Sequence, residues 1–342
     1  MRVRAPGRIS AMDDPNRTKR ISLLPHEWAF SGFLLLTSLR LLVAGDRAVV
    51  WSFAFLAQLA ASIAVILWAS RRPSPWRWRV RLVVYPVAMG VSFYAMKYAV
   101  PLLGNPNVDA MLLAWDRALL GETPALAWQN QLHPWLVEVA MAGYLFFFYY
   151  LIAGPARYCV RDLELFRKCI VGLFTMYALS FVGYTLFPAG GPHRFTAFMA
   201  PLDGGWLLDW TLRPVNGGSN GVDVFPSVHF GATLYLLGFD WWHHRRRFWW
   251  VLPPCGVLWF STLYLRFHYF VDLLAGAAVA LAGLAIARWH GQATLDVETR
   301  TEVAFGDSAG EEQLRASHHE HHGEQPAHGQ RREPAAAEFR AD

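Results

Sequence analysis

Charge is scarce in this 342-residue sequence: Asp, Glu, Lys and Arg make up 17% of it, against about 25% in an ordinary soluble domain. Cysteine is scarcer. Cys159, Cys169 and Cys255 are too few and too scattered for a disulfide framework or a thiolate metal site, and read as small apolar fillers. The first 25 residues are polar and basic and lack an apolar core followed by a small-residue cleavage site, so no cleaved signal peptide is expected. No internal repeat stands out, and no nucleic-acid partner is expected.

What fills the chain is apolar: 54% hydrophobic residues, with 16 Trp and 23 Phe and a mean hydropathy of +0.21. These residues cluster in runs long enough to cross a hydrocarbon core of about 30 Å. Eight candidate spans are read at 28–44, 49–69, 82–102, 135–153, 170–187, 228–239, 249–265 and 269–287. The sixth is short as drawn and has apolar continuation through Trp241 and Trp242. The expected fold is all-α, a polytopic membrane helical bundle of about eight transmembrane helices.

Orientation follows from Lys and Arg, which are retained on the cytoplasmic side. With the N-terminus inside, the inner segments carry 18 basic residues and the outer segments 4. The loop "RRPSPWRWRVR" alone has five arginines and no acid. Both termini are therefore expected in the cytoplasm, with the protein integral to the plasma (cytoplasmic) membrane. Residues 1–24 form an N-terminal tail and 25–104 the first spans. Residues 105–290 are read as a second membrane domain, and 291–342 as a polar tail expected to be disordered. The tail's "HHEHH" at 318–322 has the composition of a metal-binding tract, but a solvated tail is the simpler reading. In the outer loop 103–134, Met111, Leu112, Trp115, Ala118 and Leu119 recur at helical spacing, the pattern of a short interfacial helix.

Three polar clusters fall on the outer side of this topology, although none was used to choose it: "FPAGGPHRF" after the fifth span, "FPSVHF" before the sixth, and "STLYLRFHYFVDLLAG" between the seventh and eighth. His268 and Asp272 are four apart and would share a helical face. There a carboxylate fixes the imidazole tautomer and makes the other nitrogen a better nucleophile or base. Thr262 and Arg266 have the same spacing, and a permanently charged guanidinium suits a phosphate oxygen. In "GGPHR" the glycines admit a ligand close to the backbone, and His193 and Arg194 add donors. Ser227 can cap a helix whose N–H groups favour anions. Each has a plainer reading: Ser227 as a cap only, His229 as a satisfied interfacial histidine, Arg266 snorkelling to the interface. Jointly they read as a phosphate site. Arg40, Lys97 and Glu138 lie near the outer ends of spans, where snorkelling is the default and a wider headgroup or acceptor pocket the alternative.

Pro-Ser-x-His followed by His-x-x-x-Asp resembles the second and third motifs of the type-2 phosphatidic acid phosphatase superfamily. "FPSVH", "HYFVDLLAG", "DRALLG" and "HPWLVEVAM" are most similar to its inositol phosphorylceramide synthase branch. The likeness spans roughly residues 105–285. It implies a six-helix catalytic core in which His268 attacks phosphorus to form a phosphohistidine, Asp272 orients it and His229 protonates the leaving oxygen. Arg194, Arg266 and Ser227 would hold the phosphoryl oxygens, with His193 beside them. It implies no metal and no cofactor, a membrane lipid phosphate as substrate, and water or a polyol or other alcohol as acceptor. The sequence departs from the pattern in three places. "GGPHR" stands where phosphatases carry a Lys and Arg-Pro motif, Val228 replaces a glycine, and Thr262 replaces an arginine. Two other classes stay open: a non-enzymatic lipid or anion transporter, and a metal-dependent hydrolase with His193, His229, His268 and Asp272 as ligands.

Overall fold

The computed structural model describes residues 23–290. The 318–322 histidine cluster and nearly all of both tails lie outside the described residues. Every regular element described is helical. The principal helices are α1 (Pro25–Val43), α2 (Asp46–Arg71), α3 (Pro75–Ala99), α4 (Asp109–Leu120), α5 (Pro124–Ala127), α6 (Pro134–Arg161), α7 (Leu163–Leu186), α8 (Pro192–Phe195), α9 (Trp206–Gly218), α10 (Val228–His243), α11 (Arg245–Tyr264) and α12 (Phe270–His290).

All eight apolar runs are helices. Five are both long and apolar enough to span a membrane: α2, α3 with its 3-10 extension to Leu103, α6, α7 and α12. α10 continues through Trp241 and Trp242 to His243, yet at 16 residues it is only about 24 Å long.

These helices are apolar all round, as a bilayer requires. In α1, Phe30, Phe33, Leu34, Thr37, Ser38 and Leu41 form the buried stripe, while Leu35, Leu36, Leu39 and Leu42 face outward. Several of the polar groups inside are paired. Ser38 and Ser52 join α1 to α2 by a 2.8 Å hydroxyl contact. Glu27 of α1 accepts two guanidinium bonds from Arg81 of α3, at 2.5 and 2.6 Å. Asp240 of α10 accepts from Arg247, and from Tyr150 at 2.8 Å and Tyr158 at 3.0 Å. Such pairing offsets the desolvation of charges that would otherwise be prohibitive in lipid.

α7 is the central helix: 72% of its most apolar window is buried, against 22% in α2. α10 and α12 pack against it, and their mutual approach sets the site. A Cβ on Gly276 of α12 would lie 2.5 Å from the Ser227 carbonyl, and one on Gly231 of α10 would lie 2.8 Å from the Gly276 carbonyl. Only hydrogen at these positions lets the two helix starts come this close.

Candidate active site

The three polar clusters meet where α7 ends, α10 begins and α11 passes to α12. The last turn is the sharpest. α11 stops at Tyr264, Arg266 takes a left-handed conformation at φ +66°, and the Thr262 carbonyl accepts the N–H groups of Phe267 at 3.0 Å and His268 at 2.9 Å. This closure stabilises a conformation that side chains other than glycine adopt at a cost. Two expectations are corrected by it. Thr262 and Arg266 do not share a helical face, because the helix ends between them. His268 is not on a helix either: it precedes α12 by two residues and folds over its first turn. The contact with Asp272 forms nonetheless, with Nδ1 3.1 Å from Oδ2.

Ser227 is buried at the N-cap of α10, where its Oγ accepts the Phe230 N–H at 3.3 Å. Its backbone N–H donates to the Asp272 carbonyl at 3.0 Å, tying α10 to α12. The same Oγ lies 3.5 Å from His268 Nε2, so capping and facing the histidine coexist. His229, in the first turn of α10, puts Nδ1 3.3 Å from His268 Nε2. Its other nitrogen is 2.9 Å from the Tyr144 hydroxyl, and its ring packs on Tyr144 and Phe147.

The "GGPHR" turn closes the other side. Gly191 sits at φ +89°, where a Cβ would meet the Phe267 carbonyl at 2.5 Å. His193 donates its backbone N–H to the Arg266 carbonyl at 2.9 Å, and its Nε2 accepts from Arg194 Nε at 3.1 Å. Burial, then the Arg194 guanidinium, lowers the His193 pKa to about 4. His193 is therefore neutral at pH 7, with its proton on Nδ1, a buried donor without a partner. Arg194 is exposed at the rim and also reaches the Asn216 carbonyl at 3.2 Å. Arg266 is buried over the Phe198 ring. Its Nη1 donates to the Ala200 carbonyl at 2.8 Å, while Nε and Nη2 are buried with no acceptor. Unfilled buried donors of this kind call for an anion.

Two carboxylates that the sequence reading passed over brace this site. The buried face of α4 is Asp109, Leu112 and Asp116, whereas Trp115 and Leu119 of the expected apolar stripe point outward. Asp109 accepts the N–H groups of Gly190 at 2.7 Å and Gly191 at 2.8 Å, and the Tyr269 hydroxyl at 2.9 Å. Asp116 accepts the first-turn N–H groups of α12 from Phe270 at 3.0 Å and Val271 at 2.9 Å, and the Thr123 hydroxyl at 2.6 Å. One short helix thus holds the glycine turn and the start of the helix after His268. Seven-residue spacing, two turns of one face, was the available signal. Tyr144 had none, since it sits in a run of apolar and aromatic residues.

Glu138 and Arg40 do not enter the histidine cluster. Glu138 caps α9, accepting N–H groups of Gly205, Leu207 and Leu208 at 2.9–3.1 Å. Arg40 donates to Thr185 at the end of α7, and Lys97 is exposed. Among the described residues no group of three or more His, Cys, Asp and Glu is placed to hold a metal ion; His229, His268 and Asp272 contact one another instead.

The described residues thus form a multi-pass helical bundle with this cluster at one end. A family model of the PAP2 superfamily matches residues 110–286, just over half of the chain, and the chain belongs to that superfamily. A stretch of 58 residues is 45% identical to an inositol phosphorylceramide synthase of Candida albicans. It covers 17% of this chain and only 12% of that protein. No solved structure matches the chain.

Proposed function

We propose that the chain is an integral membrane enzyme that takes the phosphoryl group of a lipid phosphate onto His268 Nε2 and passes it to water or an alcohol. One observation carries this reading. His268 Nε2 lies 3.3 Å from His229 Nδ1 and 3.5 Å from Ser227 Oγ, while the same ring's Nδ1 contacts Asp272. A nucleophile, its orienting carboxylate, an acid and a hydroxyl donor thus surround one point.

In this reading Asp272 holds the proton on Nδ1, leaving the Nε2 lone pair to attack phosphorus. His229 protonates the departing lipid oxygen and then accepts a proton from the incoming water or alcohol. The free donors of Arg266 and His193, with Arg194 at the rim and Ser227 within, take the charge that accumulates on the phosphoryl oxygens. The site faces the extracytoplasmic side. The 18-to-4 distribution of basic residues supports this, its inner count including Arg245–Arg247 beyond the end of α10 opposite Ser227.

The local likeness to a named synthase favours an alcohol acceptor, with a polyol the first to try. The test is phosphate release from a panel of lipid phosphates by purified protein, with and without polyols and with chelator throughout. Product that forms only with acceptor assigns a transferase, and free phosphate without acceptor a hydrolase. No turnover of any lipid phosphate, in either arm, overturns the proposal.

A further inference from the structure

The contacts around His229 have a direction. The Asp272 carboxylate only accepts, so the His268 nitrogen facing it, at 3.1 Å, is the protonated one. His268 Nε2 then holds a lone pair, and the neighbouring His229 Nδ1 at 3.3 Å is the donor to it. That leaves His229 Nε2 facing the Tyr144 hydroxyl at 2.9 Å. In the resting neutral His229, with hydrogen on Nδ1, this nitrogen accepts the phenol O–H; whenever Nε2 itself carries hydrogen it donates to the phenol oxygen. A hydroxyl serves both states by rotating.

We infer that Tyr144 is a positioning residue for proton transfer, keeping His229 Nδ1 as the working nitrogen through both halves of the reaction. The inference rests on the function proposed above. The steps balance. As the anionic lipid phosphate binds, His229 takes a proton from solvent and becomes an imidazolium, Nε2–H pointing at Tyr144 and Nδ1–H at the leaving oxygen. The His268 Nε2–P bond forms and the P–O bond breaks, its electron pair staying on oxygen. Nδ1 gives that oxygen its proton. His229 is left neutral with hydrogen on Nε2, fixed there by the Tyr144 oxygen, so the lone pair sits on Nδ1. From this tautomer it accepts the proton of the attacking water or alcohol as the N–P bond breaks. Without the hydroxyl, Nε2–H is left against the Tyr144 and Phe147 rings with no acceptor, which disfavours both the imidazolium and the tautomer that acts as base. Position supports the role. Tyr144 is buried on α6, its ring packed on His229 and on Phe267, the residue before His268.

Leaving groups of different basicity test this in the full-length purified protein. An alkyl phosphate needs its oxygen protonated; p-nitrophenyl phosphate, whose leaving oxygen is acidic, does not. In single turnover, which isolates transfer to His268 from the second half-reaction, Tyr144→Phe is expected to slow the alkyl ester by about tenfold or more, within the range for acid catalysis, and to leave release of p-nitrophenol within about threefold. His229→Ala should show the same substrate dependence, and the double variant should be no worse than His229→Ala alone. Tyr144→Gln, which keeps a hydrogen-bonding oxygen, should recover part of the alkyl activity. Equal loss on both esters, or Gln as poor as Phe, assigns Tyr144 to packing and overturns the inference. If wild-type protein turns over neither ester, the failure lies in the proposed function.

Discussion

Replacing Asp116 by Ala would strip three hydrogen bonds from a fully buried carboxylate: Phe270 N–H at 3.0 Å, Val271 N–H at 2.9 Å and the Thr123 hydroxyl at 2.6 Å. The two N–H groups belong to the first turn of α12, which has no intrahelical acceptors for them. Leaving each buried and unpaired costs about 1–3 kcal/mol, so Asp116→Ala should lose roughly 2–6 kcal/mol of stability. A carboxylate there also complements the helix dipole, worth up to about 2 kcal/mol in a partly buried setting. Asp116→Asn is the sharper probe. Its amide keeps one acceptor but turns an NH2 toward a donor, so α12 should shift by a fraction of an ångström without unfolding. Since His268 and Asp272 flank that turn, kcat should fall by about tenfold or more while KM for the lipid changes little, because small misplacements of reacting groups are costly. The assays are thermal unfolding in detergent and steady-state turnover of a lipid phosphate at a temperature where both forms are folded. Asp116→Asn with wild-type kcat and wild-type melting would refute the bracing role of α4.

Gly276→Ala places a methyl 2.5 Å from the Ser227 carbonyl. It should push α10 from α12 at a cost of about 1–3 kcal/mol, with activity lost well beyond what the melting temperature implies. Glu138→Gln removes the charge shared by three N–H groups at the start of α9; faster hydrogen exchange should appear in 205–209 while α10 and α12 stay protected. His193 is held neutral, its pKa lowered from 6.5 to about 4, so the unfolded chain takes up this proton first. Stability tied to His193 is complete above about pH 6.5 and is lost as pH falls toward 4, by at most about 3 kcal/mol. His193→Asn should flatten that part of the melting-temperature profile, and an unchanged profile would remove His193 as its source.

Much of this architecture was legible in the residues. Runs of bilayer length marked the helices, since a segment apolar on every face has few other uses. The three clusters were legible because Ser, His and Arg at the edges of such runs are costly and conspicuous. Their geometry was harder. A spacing of four suggested a helix for His268 and Asp272, and the structure makes the contact with His268 outside the helix, because the Thr262 carbonyl closes α11 early. Asp109 and Asp116 were hidden by the apolar residues between them, which read as the apolar face of a short interfacial helix. Tyr144 was invisible, for its role lies in a contact between α6 and α10 that no spacing along the chain encodes. Glu138 and Arg40 read as snorkelling charges and turn out to cap α9 and to anchor the end of α7.

The central claim is a covalent phosphate on His268, and trapping it is the most direct test. Protein quenched during turnover of a 32P-labelled lipid phosphate should carry label that is acid-labile, alkali-stable and confined to the peptide containing His268. That label should be absent from His268→Ala. Turnover at the wild-type rate by His268→Ala, with no label on the protein at any time point, would contradict the account.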